Sequence, residues 1–278
     1  MQKFVKRFPI LAAFLLPLVV FFVVDLAAAL LAYPLYSLCE PRLADYLLGD
    51  ITYLIGIPLC LLLLYKAGLW NELGYRREGL GMGLLCGGLL IVTSVYDFVN
   101  YIWYLDPATF RLPSPGLFMA CVVNVLLIGL CEELIFRGGV LNLLLLRWGG
   151  TKKGITRAVV LSSVLFGAVH ITNWLNYPQL FWTTLSQMVY ATFFGVLIAA
   201  AYLRSRNLWA VSLLHAIFDA SLVLSIFSEQ AAALEYTDIS PLAAVNGVLT
   251  SLPYLILGLL VLEGVRPRTT APPPYPVD

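Results

Sequence analysis

Eight apolar runs dominate this chain and leave it one kind of setting in which to fold. They cover roughly residues 9–32, 47–65, 80–102, 117–146, 155–171, 183–203, 208–227 and 241–262. A helix needs about 20 predominantly apolar residues to cross the hydrocarbon of a bilayer. Backbone in lipid must satisfy its own hydrogen bonds, so only helices and closed barrels span it. Continuous rather than alternating apolar runs select helices. The composition agrees, with 60% hydrophobic and only 12% charged residues, where soluble domains carry about 25% charged. The expected fold is all-α: a polytopic membrane protein with eight transmembrane helices. Residues 1–265 should form a single transmembrane domain, and 266–278, which holds Pro272, Pro273 and Pro274, a disordered cytoplasmic tail.

Loop charges fix the expected topology. Lys3, Lys6 and Arg7 precede the first run. Lys66, Arg76 and Arg77 follow the second, and Arg147, Lys152, Lys153 and Arg157 the fourth. Arg204 and Arg206 follow the sixth, Arg266 and Arg268 the eighth, and the opposite loops hold only Arg42 and Arg111. Eight spans put every basic cluster on one side, which the positive-inside rule assigns to the cytoplasm. Both termini are expected there, in a protein of the plasma (inner) membrane. The first run exceeds the 7–15 residues of a signal-peptide core, so it reads as a retained span. Trp70, Trp103, Trp148, Trp174, Trp182 and Trp209 fall at run ends, where amphipathic rings prefer to lie. Residues 70–77 read as a short surface helix. A net charge of +1 gives no footprint for nucleic acid. The cysteines show neither metal spacing nor a disulfide framework.

One run carries charges that a membrane anchor has no use for. Glu132, Glu133 and Arg137 interrupt 117–146. A charge near the bilayer centre costs at least about 3 kcal/mol, so such residues mark function by default. Glu133 and Arg137 are four apart and can neutralise each other on a helix, as a structural staple or otherwise. Adjacent helical residues diverge by about 100°, so Glu132 needs another partner, a proton or a task.

The chain's two histidines both lie in apolar runs, His170 in the fifth and His215 in the seventh. Phe166 sits one turn before His170, and Gly167 would admit a neighbouring helix closely. His215 and Asp219 are also one turn apart. A lone intramembrane histidine is often just a hydrogen-bonded core residue. Two of two beside an unpaired glutamate favour a shared site. The chemistry these groups permit is hydrolysis: Glu132 as general base on a water that His170 orients, with His215 and a protonated Asp219 as donors to an oxyanion. The same atoms, Glu132, His170, His215 and Asp219, allow a zinc site with an open position. The compact HExxH helix is missing, as are the GxSG and GxGD signatures of other intramembrane proteases.

The order Glu132-Glu133-x-x-x-Arg137, Phe166-x-x-x-His170, His215-x-x-x-Asp219 on separate apolar runs resembles the CPBP family, which contains CAAX prenyl endopeptidases and bacterial relatives linked to bacteriocin processing and self-immunity. The motif core covers about 117–222, and Leu73-Gly74-Tyr75-Arg76-Arg77 is similar as well. The resemblance implies an eight-helix intramembrane endopeptidase. It assigns Glu132 and His170 to water activation, and His215 with the last motif residue to the oxyanion. It favours a metal-free glutamate mechanism over a zinc-dependent one. The last motif position is often Asn in the family and is Asp219 here, which keeps zinc open. The implied partners are the lipid bilayer and a peptide or membrane-protein substrate. Two other classes remain: a non-catalytic scaffold or bacteriocin-immunity factor of the same fold, and a transporter using the polar groups as a proton relay, disfavoured by the lack of repeats and broken-helix pairs.

Overall fold

The computed structural model describes residues 1–228 and 237–267. Among them, seven helices are long and apolar enough to cross a membrane, and a bent pair makes an eighth. In chain order these are α1 (Pro9–Leu38), α2 (Pro41–Ala67), α3 (Leu80–Cys86 with Gly88–Tyr104), α4 (Pro115–Trp148), α5 (Lys152–Asn176), α6 (Phe181–Ser205), α7 (Leu208–Ser225) and α8 (Pro241–Glu263). The all-α, polytopic reading of the sequence is what the chain adopts.

Helix starts follow local chemistry more closely than hydropathy does. Glu40 accepts hydrogen bonds from the amides of Arg42 and Leu43, and Pro41 occupies the first turn. That cap starts α2 before the apolar run expected at 47. Ser114 before Pro115 and Ser240 before Pro241 repeat the device, while Thr151 and Asn207 cap α5 and α7. Each cap satisfies a donor that the helix itself leaves orphaned.

The sixth helix is the hub, with 61% of its apolar window buried against 22% for α8 and 28% for α1. It packs on α5 and α8, while α4 packs on α7 and α2, and α1 on α2. Two glycines bring these helices close. A Cβ at Gly129 would stand 2.6 Å from the Ser212 carbonyl of α7, and one at Gly167 would stand 2.3 Å from the Met188 carbonyl of α6. Small residues let membrane helices approach this way, and the Gly167 contact is the one its sequence setting anticipates.

The helix ends sort into two groups. At one end Lys152 Nζ meets the carbonyls of Leu262, Glu263 and Val265, Arg204 meets Gly264, and Arg206 pairs with Glu72 at 3.8 Å. At the other end the amide of Arg111 donates to Phe227, and Asp238 accepts from the amides of Trp182 and Thr183. The loops carrying the basic clusters thus share one end.

Three local expectations change. The run 80–102 bends by 62° at Gly87, where any side chain would collide with Leu214 of α7. Residues 70–77 form only a single 3₁₀ turn, Trp70–Glu72, followed by irregular chain. Gly74 holds φ +68°, and a Cβ there would meet the Arg206 carbonyl, so a regular helix cannot continue. The last apolar helix segment before the eighth span breaks after Asp219 and resumes at Leu222–Ser225. Of the expected tail, 268–278 lies outside the described residues.

Candidate active site

The site is built where α4 changes its pitch. Its first part ends at Glu133, and Leu134–Leu141 follows as a π-helical turn before Asn142–Trp148 resumes the α-helix. Such widened turns are rare and are often found at functional sites. The side chain of Asn142 donates to the carbonyls of Arg137 and Gly138 at 3.0 and 3.1 Å. Glu133 and Arg137 stay in contact across the start of this turn: Arg137 donates to Glu133 Oε1 at 2.8 Å. It also donates to the Gly195 carbonyl of α6 at 3.3 Å and lies 4.6 Å from the centroid of the Phe166 ring. Phe166 therefore holds Arg137 as a cation–π partner and packs against both histidine rings, His170 at 5.4 Å and His215 at 5.8 Å between centroids.

His215 ties α7 to α4. Its Nδ1 donates to Glu133 Oε1 at 2.7 Å, the oxygen that also accepts from Arg137. Its Nε2 faces Asp219 Oδ2 at 3.3 Å and Glu132 Oε2 at 3.7 Å. Nδ1 of His170 lies 3.0 Å from the Phe166 carbonyl. A carbonyl only accepts, so Nδ1 carries the proton, and in the neutral ring Nε2 is left as the acceptor.

Burial divides these groups into two shells. The side chains of Glu133, Arg137 and His215 are 0%, 1% and 5% exposed, whereas those of Glu132 and Asp219 retain 18% and 19%. His170 is half-buried. The inner three fix one another, and the outer three offer reachable atoms to a substrate or a water. All seven residues singled out from the sequence, Glu132, Glu133, Arg137, Phe166, His170, His215 and Asp219, belong to this one constellation: Glu132 lies within electrostatic range of both histidines and of Asp219.

Sequence reasoning missed Asn142, Tyr202 and the π turn. Gly138-Gly139 inside an apolar run was the available signal. A buried asparagine on the same run was the other.

For zinc, the donor geometry does not fit as it stands. Among the described residues, no three His, Cys, Asp or Glu side chains gather in a metal-holding group. Structural and catalytic zinc sites need three or four ligands at about 2.0–2.3 Å from one point.

Residues 114–221, from the cap of α4 through α7 just beyond Asp219, match the family model described as type II CAAX prenyl endopeptidase Rce1-like. This segment is similar to that family. The CPBP/CAAX resemblance read from the motifs holds there, and all seven site residues fall inside the match. No curated protein and no solved structure matches the chain. The matched segment is thus similar, at family level, to CAAX-type proteases. Its buried inner shell, the Glu133–Arg137–His215 cluster, is set by three helices of the matched segment, α4, α6 and α7.

Proposed function

We propose that this protein is an intramembrane endopeptidase that hydrolyses a peptide bond at or within the membrane through Glu132-activated water. The observation that carries the reading is the division of the polar cluster. A buried Glu133–Arg137 pair locks His215, while Glu132, His170 and Asp219 keep exposed surface beside it. A purely structural cluster has no reason to leave a second carboxylate without a hydrogen-bonded cation.

In the proposed reaction, Glu132 takes one proton of a water as the oxygen attacks the scissile carbonyl carbon. Nε2 of His170 accepts a hydrogen bond from the other water proton, because the Phe166 carbonyl occupies its Nδ1–H. The new oxyanion receives hydrogen bonds from Nε2–H of His215 and from Asp219 beside it. The C–N bond then breaks, and Glu132 returns its proton to the leaving amine. Donors aimed at developing charge in a water-poor site are worth several kcal/mol each, about 3 in favourable cases. Its expected setting is the plasma membrane, with both termini and the basic helix ends in the cytoplasm.

The scaffold reading rests on the same buried trio, which satisfies itself without a substrate. Glu132→Gln separates the two. It is nearly isosteric, at a side chain that is mostly buried but still reachable, so a scaffold tolerates it and the protease loses cleavage. The same variant, crosslinked in its native membrane, should retain the bound peptide and so identify the substrate.

A further inference from the structure

The π turn hangs on a second polar chain that leads away from the catalytic groups. Asn142 is 1% exposed and sits where α4 resumes its α-helical pitch. Its amide nitrogen reaches three acceptors: the carbonyls of Arg137 and Gly138 and, at 2.9 Å, the hydroxyl of Tyr202 on α6. Tyr202 is fully buried, and its hydroxyl donates to the carbonyl of Glu72 at 2.5 Å. Glu72 closes the 3₁₀ turn Trp70–Glu72 at the basic end of the molecule. The irregular chain after it is held by Asn207, whose amide donates to the carbonyls of Arg76 and Glu78 at 2.5 and 3.0 Å.

From Asn142 the chain continues inward. The carbonyl it anchors belongs to Arg137, whose guanidinium fixes Glu133 Oε1, which in turn fixes His215 Nδ1. A π turn carries one more residue than its helix needs, and it persists only when its surroundings determine it. Asn142 supplies that determination, because a buried amide that lost these acceptors would leave several polar groups unsatisfied at once. The cluster has little slack already: Glu133 Oε2, Arg137 Nε and Asn142 Oδ1 have no partner among the described residues.

We propose that Asn142 is a positioning residue, which with Tyr202 sets the register of the π turn and through it the orientation of His215 toward Glu132, so that the 70–79 segment is mechanically linked to the active site. The catalytic half of this statement rests on the proteolytic reading above. The positional half does not.

Two variants and two readouts test it. Tyr202→Phe removes one hydroxyl from a buried ring, and Asn142→Ala removes the anchor. The chain has two histidines, so protein labelled with ¹⁵N-histidine gives a spectrum in which Nδ1–H of His215 is identified by its survival in a His170→Gln sample. Both variants are expected to move that resonance. In liposomes holding an internally quenched peptide with an apolar membrane anchor, they should lower kcat by roughly tenfold to a hundredfold, as small misplacements of catalytic groups do, with KM little changed. A structural role alone lowers only the folded fraction and leaves kcat per folded molecule at the wild-type value. An unmoved resonance in folded Tyr202→Phe protein overturns the proposal, and so does a moved resonance with the wild-type kcat. If the resonance moves but the wild-type protein cleaves no membrane peptide, the proteolytic reading fails and the link between Tyr202 and His215 stands.

Discussion

His215 and Arg137 reach the same carboxylate oxygen, Oε1 of Glu133, from two different helices at 2.7 and 2.8 Å. One anionic oxygen thereby spends its charge on orienting an imidazole and a guanidinium together. Glu132, its neighbour in the chain, is left facing Nε2 of the same histidine at 3.7 Å, beyond hydrogen-bond distance. This geometry sets a carboxylate held by two partners beside one with none at hydrogen-bond distance, and it carries the first two predictions.

Glu132→Ala, His170→Ala and His215→Ala should each abolish processing. Glu132 and His170 are partly exposed, so those two proteins should accumulate in the membrane as the wild type does. Immunoblots of membrane fractions beside a cleavage assay check both points. Wild-type cleavage by any of the three would remove that residue from the proposed mechanism.

Arg137→Ala should act on stability. It strands Glu133 without its guanidinium partner at a site with no water access, and breaking a buried pair from one side costs about 3–5 kcal/mol. Thermal unfolding in detergent should show a clearly lowered Tm, and Glu133→Gln in the same chain should recover part of it. An Arg137→Ala protein with wild-type Tm and no activity would move Arg137 into the chemistry.

Both the Glu133–Arg137 contact and the nearness of Phe166 to His170 were legible from the sequence, because helical spacing of four residues is a local rule. The span count was legible too, since hydropathy and basic loops are additive along the chain. The partnership of His215 with Glu133 was not, because it joins residues 82 apart through helix packing that no local pattern encodes. The bend at Gly87 and the irregular chain after Glu72 escaped for a related reason: both glycines there pack closely against residues distant in the chain, Leu214 in one case and the Arg206 carbonyl in the other. The π turn is a third case, since its supporting hydroxyl belongs to Tyr202 on another helix.

Topology follows from the two groups of helix ends. Reporter fusions after Lys152 and after Arg204 should read as cytoplasmic, and fusions near Arg111 as external. Glu235, a natural further site for an external fusion, lies outside the described residues, and Asp238 serves in its place. A cytoplasmic signal at Asp238 would sink the eight-span count.

Asp238 also supplies a pH prediction. Its carboxylate accepts from the amides of Trp182, Thr183 and Ile239 and from the Thr183 hydroxyl. Desolvation pushes its pKa upward, but these hydrogen bonds outweigh it and hold the group below the usual carboxylate range. A depressed folded pKa means the anion stabilises the fold above the unfolded pKa, near 3.9, and that this contribution is lost as pH falls through the folded value. The anion also faces the amide-rich start of α6, which favours negative charge. Asp238→Asn should therefore lower Tm at neutral pH, and the difference from wild type should shrink on acidification below about pH 4. An equal gap at every pH would mean that the charge does not matter.

The metal question can be decided at Asp219. In the water-activating reading Asp219 serves the oxyanion beside His215 Nε2, so an amide, which can donate, can replace it, and Asp219→Asn should keep substantial activity. In a zinc reading the carboxylate is a ligand, and the same change should weaken metal binding and cleavage together. Nδ1 of His215 is held by Glu133 and Nδ1 of His170 by the Phe166 carbonyl, which leaves Nε2 of each ring available under either reading. Metal analysis of purified protein, with cleavage measured before and after a chelator and after zinc is returned, gives the independent check. Stoichiometric zinc whose removal abolishes cleavage and whose return restores it would overturn the metal-free mechanism.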